Sequence, residues 1–181
     1  MGWNKGEKMK ENWEKSCDLV LESEGGYQLT TLVGDSGGQT YAGIARNPNP
    51  QWEGWELIDK GETPPKEMVR SFYKANFWDK VRGDELPLGI DYLVYDFAVN
   101  AGVSRAVKTL QSAVGTNPDG AIGPATIAAV KSCTNLVEKF SNTKEDFYKG
   151  IVGRKPDQVR FIKGWLNRVA HVQSVADTMV T

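Results

Sequence analysis

The strongest constraint in this sequence is an amphipathic helix that has to stop at a pair of glycines. The positions that share one face of this helix, at spacings of i, i+4, i+7, i+8 and i+11, are Trp13, Cys17, Val20, Leu21 and Glu24. Gly25 and Gly26 follow at once, and glycine often takes the left-handed conformation that ends a helix. The pattern predicts a sharp turn after Glu24, which leaves an acidic side chain at the helix end.

The segment after the glycines carries short-strand signals and a tight turn. Side chains alternate in character from Tyr27 to Thr31, and Asp35-Ser-Gly-Gly has the composition of a turn. Helices are expected over Trp52–Ile58, from a capping Thr63 to Phe77, over a buried central segment Leu88–Val99, and from a capping Ser104 to Val114. Three more helices are expected. One is short and ends near Lys131, and the other two cover Leu136–Tyr148 and Asp157–Thr178. We therefore expect a mainly helical α+β protein with one small β-hairpin in its N-terminal third.

The charge balance and the scarcity of histidine argue against several classes of function. With 22 basic and 23 acidic residues the formal net charge is −1, which disfavours a nucleic-acid partner bound through a basic surface. The single histidine, His171, is a poor basis for a zinc site or a serine–histidine–aspartate triad. Cys17 and Cys133 belong to no metal-spaced pair, so we expect two buried thiols, with a disulfide as the alternative.

No segment of the sequence predicts export or membrane insertion. The start of the chain lacks the apolar stretch of a secretory signal, and Gly6 stands where myristoylation needs serine or threonine. No apolar run approaches the length that spans a bilayer. We expect synthesis in the cytoplasm and, if the protein is exported, help from another protein.

Glu24 is the candidate general acid. Its helix face also carries Trp13 and Val20, so we expect partly apolar surroundings, and burial raises the pKa of a carboxyl. The partial negative charge at the helix C-terminus acts in the same direction. A carboxyl that stays protonated near neutral pH can give its proton to the leaving oxygen of a glycosidic bond. The alternative is a solvated residue before a glycine cap, and Glu22, which projects from another side, is expected to be a surface charge.

Asp35 and Thr40 are the candidate partners of Glu24. A second carboxylate can orient or deprotonate water, or stabilise positive charge that develops on the sugar ring, and we expect this of Asp35. Thr40 is expected to position the water molecule. The alternatives are local, because an aspartate before Ser-Gly-Gly commonly bonds its own backbone and threonine is an ordinary strand residue. The three residues together predict a glycoside hydrolase.

Aromatic rings and one amide are the candidate substrate contacts. Candidate platforms on which a sugar ring could stack are Tyr27, Tyr41, Trp52, Trp55, Trp78 and Tyr95. Most aromatic residues in a chain of this size are core, so only one or two are expected to touch substrate. We assign Tyr27, Tyr41 and Tyr95 to substrate binding. Asn100 joins them because an amide suits an acetamido sugar, with a helix-terminal role as its alternative.

These residues resemble glycoside hydrolase family 108, the N-acetylmuramidases of phage endolysins and of some bacterial secretion loci. The family's Glu-Gly-Gly-Tyr motif corresponds to Glu24–Tyr27, and its Asp-x-Gly-Gly-x-Thr-x-x-Gly-Ile motif to Asp35–Ile44, where Ala42 occupies a variable position. The second half is similar to the predicted peptidoglycan-binding region that accompanies this family. Its matching elements are Tyr95–Gly102, Lys108–Gln111, Asp119–Thr126, Phe161 and Gly164–Arg168.

The resemblance runs from about Trp13 to Val169 and implies a lysozyme-like fold, with Glu24 as the essential acid. It implies cleavage of the β-1,4 bond between N-acetylmuramic acid and N-acetylglucosamine. We expect a catalytic region over residues 1–94 and a helical peptidoglycan-binding-like region over 95–181, packed into the same fold. We further expect a monomer without metal or cofactor, with peptidoglycan as its partner. By analogy with the family it would be a phage endolysin, released with the help of a holin and acting in the periplasm or cell wall.

Two other functions remain open at the level of the sequence. A lytic transglycosylase also uses one acid, but a hydroxyl of the sugar attacks in place of water. A non-catalytic peptidoglycan-binding or secretion-associated protein would keep the lysozyme shape, although the joint presence of Glu24, Asp35 and Thr40 argues against it.

Overall fold

The computed structural model describes residues 5–31 and 38–180, with side chains from Asn12 onward within those ranges. The α-helices described there are α1 (Lys5–Ser23), α2 (Gly54–Asp59), α3 (Lys66–Tyr73), α4 (Ile90–Ala101), α5 (Val103–Ala113), α6 (Pro124–Ser132), α7 (Leu136–Arg154) and α8 (Val159–Val180). The strands are β1 (Leu29–Thr31), β2 (Gln39–Tyr41) and β3 (Ile44–Ala45). This mainly helical α+β arrangement with one small antiparallel sheet confirms the predicted fold class.

The sheet has three strands, where the sequence predicted a simple hairpin. It is antiparallel in the order β1-β2-β3. The register pairs Thr30 with Thr40 in the first two strands and Tyr41 with Ile44 in the last two. Only Ala42 and Gly43 connect β2 to β3, and both have positive φ angles, 48° and 77°. A two-residue loop of this kind matches the right-handed twist of its strands, which explains why β3 follows so closely.

Two predicted helix caps are wrong. Thr63 does not cap α3, because two prolines follow it, and a residue before proline is held away from helical geometry. The helix begins only at Lys66, after an extended Pro65. Ser104 lies inside α5 and does not cap it. Gly102, with a φ of 92°, forms the whole connection between α4 and α5, so α5 already begins at Val103.

The chain divides into two compact units. The unit that we call the hairpin unit is Glu14–Asn76, and the one that we call the helical unit comprises Met1–Trp13 and Phe77–Thr181. In the hairpin unit, the apolar face predicted for α1 is buried at Cys17, Val20 and Leu21. The sheet and the following helices add Tyr41, Ala42, Ile44, Trp55, Val69 and Tyr73 to that core.

The helical unit is built around α4. Every residue from Ile90 to Ala98 is buried, as the apolar run of the sequence predicted for a central helix. Helices α5, α7 and α8 pack against it. Asp91 and Asp96 are also buried in this stretch, so two acidic residues lie within an otherwise apolar helix.

The two thiols differ in exposure. Neither forms a disulfide, and Cys17 is buried as expected, but Cys133 is partly exposed, so the expectation of two buried thiols is wrong for Cys133. Across the described ranges, no helix combines the length and the apolar character needed to cross a membrane.

Asp91 is a buried carboxyl at the first turn of α4 and is only 2% exposed. Its Oδ1 accepts a hydrogen bond of 2.7 Å from the backbone N–H of Tyr92, and its Oδ2 accepts one from the side-chain amide of Asn12. Burial raises the pKa of Asp91 to about 6, although these hydrogen bonds act in the opposite direction. Ionisation of Asp91 therefore opposes folding near neutral pH.

The Asp91→Asn variant is expected to gain stability relative to the wild type as the pH rises. An aspartate titrates near 3.9 in an unfolded chain, so the folded state holds this proton more tightly. The stability that this proton contributes to the folded wild type is complete below about pH 4 and is lost as the pH rises through about 6. The difference in free energy of unfolding should grow by up to about 3 kcal/mol over this window. Urea unfolding of both proteins at each pH measures it, and a difference independent of pH would contradict the assignment.

Candidate active site

Glu24 occupies the position that caps the C-terminus of α1. The N–H of Gly26 donates to the carbonyl of Leu21 at 2.8 Å, and the N–H of Gly25 donates to that of Glu22 at 3.2 Å. This pair of bonds is the Schellman motif, in which the residue after the cap takes a positive φ. Gly25 and Gly26 have φ angles of 90° and 70°. The side chain of Glu24 is half-buried there, whereas Glu22 is exposed, as predicted.

The side chain of Glu24 lies against the connection between β2 and β3. A Cβ atom added to Gly43 would lie 3.2 Å from the Cβ of Glu24 and 2.3 Å from the hydroxyl oxygen of Tyr73. Glu24 and Tyr73 therefore flank the same point of the backbone. Position 43 has room for glycine alone, and its positive φ favours glycine independently.

Tyr73 fixes this connection from the side of α3. It is 2% exposed, and its hydroxyl donates a 2.9 Å hydrogen bond to the carbonyl of Ala42. The N–H of Ala42 in turn donates to the carbonyl of Gln28 at 3.1 Å. Burial, followed by the nearby charge of Glu24, raises the pKa of Tyr73. The phenol therefore stays protonated and keeps donating to the turn.

Arg70 fixes α3 against α1. Its guanidinium donates to the Asp18 carboxylate at 2.6 Å and to the Glu14 carboxylate at 3.0 Å, and it also reaches the Glu14 carbonyl. Burial lowers the pKa of Arg70, but the hydrogen bonds to Asp18 and Glu14 outweigh this and raise it. A charged guanidinium with several fixed acceptors positions two elements well. These contacts place the last turns of α1, and hence Glu24, relative to Tyr73.

The other predicted residues of the catalytic group are placed less directly. Thr40 is half-buried in β2, opposite Thr30. It stands three positions before Gly43, a separation of at most about 10 Å in extended chain. The same short sheet therefore carries Thr40 and the turn that touches Glu24. Asp35 lies outside the described residues, so its distance from Glu24 stays open.

The two tyrosines predicted near the site differ in access. Tyr27 is half-buried, and the ammonium of Lys66 lies 5.2 Å from its ring centre. Tyr41 is buried, and its ring stacks on Trp52 at 6.0 Å between centres. Trp52 itself lines a groove of about 490 Å³ together with Phe72. Tyr41 therefore supports Trp52 from beneath in this packing, and its assignment to substrate binding stays a prediction.

Tyr95 and Asn100, the other predicted contacts, belong to the helical unit. Tyr95 is fully buried, and its ring meets Trp13 and Trp78, each at 5.6 Å between centres. A sugar has no access to this ring as it is packed, so a substrate contact by Tyr95 stays a prediction that requires the side chain to move. Asn100 is exposed, and its Oδ1 accepts a 2.9 Å hydrogen bond from the hydroxyl of Tyr148. This bond does not involve the amide nitrogen of Asn100.

The described residues contain no group of three or more histidine, cysteine, aspartate or glutamate side chains arranged to hold a metal ion. The chemistry that this arrangement can offer is proton transfer by a carboxyl. Glu24 supplies a half-buried one at a helix C-terminus, where the helix dipole disfavours its negative charge.

The chain is similar to known proteins over most of its length. A family described as "Glycosyl hydrolase 108" matches residues 17–102, and one described as "Predicted Peptidoglycan domain" matches residues 105–170. The solved structure of SagA from Brucella abortus is 31% identical and covers 94% of this chain and 97% of SagA, with a TM-score of 0.73. The chain belongs to the glycosyl hydrolase 108 family. It is therefore a glycoside hydrolase, and the second match ties its activity to peptidoglycan. None of the curated proteins matches it.

Part of the likeness to the peptidoglycan domain is explained by a buried amide. Gln111 is 1% exposed and donates to the Asp119 carboxylate at 2.8 Å and to the Ala121 carbonyl at 3.0 Å. Its Oε1 accepts from the N–H of Gly120 at 2.9 Å. Gly120 needs glycine because its φ is 88°. These residues of the glycosyl hydrolase 108 chain hold the loop before α6 in shape.

A buried ion cluster joins two further motif residues, Asp96 within the glycosyl hydrolase 108 match and Arg168 within the peptidoglycan-domain match. Asp96 on α4 accepts from Lys144 on α7 at 3.2 Å and from Arg168 on α8 at 2.8 Å. Asp96 and Lys144 are almost completely buried. Burial lowers the pKa of Lys144, and the adjacent Asp96 carboxylate opposes that effect. The cluster joins three helices, and removal of one member would leave uncompensated buried charge.

The residues that surround the end of α1 leave little trace in the sequence. Tyr73 falls within the apolar stripe predicted for α3, and a core tyrosine and a site tyrosine look the same in such a pattern. Arg70 shares no motif with its partners, which precede it by more than 50 residues. Gly43 carried the one available signal, because a glycine two residues before a strand-like Ala45 is typical of a tight hairpin.

Substitution of Gly25 by alanine is expected to destabilise the glycosyl hydrolase 108 chain by roughly 1–2 kcal/mol, since a side chain at a φ of 90° is strained. Among the described residues other than its two chain neighbours, no atom lies within 4 Å of the new Cβ, so we expect the strain to dominate. Gly164→Ala is the matched control. It adds a Cβ in open space inside α8 and should stabilise the protein by about 0.5–1 kcal/mol. Urea unfolding measures both, and effects of the same sign would contradict the assigned helix end.

Proposed function

We propose that this chain is an N-acetylmuramidase, which hydrolyses the β-1,4 bond between N-acetylmuramic acid and N-acetylglucosamine in peptidoglycan. The observation that carries the proposal is the placement of Glu24 at the glycine-terminated end of α1, half-buried against Gly43 and Tyr73. Family membership supports glycoside hydrolysis, and the second family match supports peptidoglycan as the substrate. The proposal adds which glycosidic bond is cleaved, namely the one that joins the anomeric carbon of N-acetylmuramic acid to N-acetylglucosamine.

In the proposed reaction Glu24 is the general acid. Its carboxyl gives a proton to the glycosidic oxygen as the bond from that oxygen to the sugar carbon breaks. Positive charge develops on the sugar ring, where the Asp35 carboxylate stabilises it or takes a proton from the attacking water. Thr40 positions that water. The water oxygen bonds to the sugar carbon, and the proton that the water loses passes to the Asp35 carboxylate or, where Asp35 only stabilises charge, to the Glu24 carboxylate. Both new chain ends therefore carry hydroxyl groups.

Substrate contacts and biological setting complete the proposal. Tyr27, three residues after Glu24 and partly accessible, and the exposed Asn100 are the proposed contacts with the glycan. Residues 1–94 would act as the catalytic region and 95–181 as the peptidoglycan-binding-like region. We propose that the protein is a monomeric phage endolysin that reaches the cell wall with the help of a holin. The peptidoglycan family match supports action at the wall.

Glu24→Gln is expected to reduce the rate of glycan release from purified peptidoglycan by about 10²- to 10⁴-fold, because glutamine has no proton to transfer at this step. The fold should be retained, since the hydrogen bonds that end α1 involve backbone groups. Release of soluble reducing sugar measures the rate, and circular dichroism reports the fold.

The matched control for this experiment is Glu22→Gln. Glu22 undergoes the same chemical change two residues away on an exposed position and should keep the wild-type rate. A Glu24→Gln protein that kept most of the activity would remove Glu24 from the catalytic role. Equal losses in both variants would point to a general charge effect.

Asp35→Asn is expected to reduce the rate by less than Glu24→Gln, because asparagine keeps the shape and some hydrogen bonding while losing the negative charge. The same assay measures it, with Asp146→Asn at an exposed position of α7 as the control. A rate equal to that of the wild type would reduce Asp35 to a turn residue.

A further inference from the structure

Tyr73 on α3 bonds the β2–β3 turn and lies close to the neighbourhood of Glu24. Its hydroxyl donates to the Ala42 carbonyl at 2.9 Å. The same oxygen lies 2.3 Å from where a Cβ of residue 43 would be, and that point is 3.2 Å from the Cβ and 3.5 Å from the Cγ of Glu24. The phenol oxygen and the base of the Glu24 side chain therefore both lie close to the same point of the turn.

The direction of the Tyr73 hydrogen bond determines what its oxygen can offer to a neighbour. A phenol has one proton, and a carbonyl oxygen can only accept. Because the proton points to the Ala42 carbonyl, the lone pairs of the Tyr73 oxygen are what remain for other groups. A carboxylic acid can donate to such an oxygen, whereas a carboxylate is repelled by it. Proximity of this kind favours the protonated form of a carboxyl.

We propose that Tyr73 is a positioning residue for Glu24, which holds the Ala42–Gly43 turn against it and presents an oxygen that favours its acid form. The proposal rests on the proposed role of Glu24 as the general acid. It explains why the turn has glycine at position 43, since any Cβ there would separate the two side chains. It also gives a reason why both side chains lie close to Gly43.

Other titratable groups also surround this pair. From α1, the Cys17 thiol lies close enough to influence Tyr73, and so does the Tyr27 phenol from the loop after α1. On α3, Arg70 is held by Asp18 and Glu14, and Lys66 lies over the Tyr27 ring. The test therefore has to change the Tyr73 oxygen while these groups stay in place.

The first test is Tyr73→Phe, which removes one oxygen and keeps the ring. The pH above which activity falls, as Glu24 loses its proton, should move down by roughly half to one unit. At pH values above this limb the rate should fall by about three- to tenfold. Tyr92→Phe is the matched control, because Tyr92 is 3% exposed and belongs to the helical unit. An unchanged limb in a folded Tyr73→Phe protein would overturn the proposal.

A second variant provides a test that does not depend on Tyr73→Phe alone. Gly43→Ala places a methyl group 2.3 Å from the Tyr73 oxygen, so it should displace the hydroxyl and also lower the limb. The strain from its φ of 77° is the same in either background. The effect of Gly43→Ala on the limb should therefore be smaller when residue 73 is already phenylalanine. Strictly additive shifts would contradict a shared contact.

Titration of the Glu24 carboxyl by carbon-13 NMR separates this proposal from the proposed function. The Glu24→Gln protein identifies the signal, and the measurement needs no substrate. A lower Glu24 pKa in Tyr73→Phe supports the positioning role even if the wild type releases no sugar from peptidoglycan. Conversely, equal Glu24 pKa values in the two proteins would overturn the positioning role while leaving a muramidase activity intact.

Discussion

The left-handed backbone at Gly25 and Gly26 is the constraint on which the proposed site depends. It ends α1 in a Schellman motif, so the chain leaves the helix directly after Glu24 and that side chain lies at the helix end. Arg70 then fixes those last turns against α3, and Tyr73 fixes the β2–β3 connection from the same helix. The carboxyl is therefore positioned by backbone geometry on one side and by two long-range side-chain contacts on the other.

The motifs of the two halves of the chain serve different physical purposes. In the hairpin unit, the glycines of the first motif set the position of one carboxyl. In the helical unit, Gln111 organises a loop, and Asp96 neutralises cations from two other helices. Buried amides and charges must be satisfied for this chain to fold, so these residues are constrained by folding. Likeness in the second half therefore does not by itself locate a glycan-binding surface.

Sequence patterns predicted what is local and missed what depends on distant contacts. The apolar face of α1, its end at Gly25 and the buried run of α4 follow from helical periodicity and glycine conformation, and the structure confirms them. Cap preference alone predicts helix starts at Thr63 and Ser104, but the prolines after Thr63 and Gly102 before Ser104 move both starts. The partnership of Tyr73 with Ala42 spans 31 residues and leaves no periodic trace. Burial of Tyr41 and Tyr95 likewise depends on their neighbours in space.

The identity of the new chain ends tests the central claim most directly. Peptidoglycan would be digested with the intact protein in water enriched in oxygen-18, and the fragments would be analysed by mass spectrometry. We expect reducing N-acetylmuramic acid ends that carry one oxygen-18 atom, because a muramidase adds one water to that sugar. Anhydro-muramic ends without the label would show a lytic transglycosylase. Labelled reducing N-acetylglucosamine ends, or no fragments at all, would contradict muramidase activity.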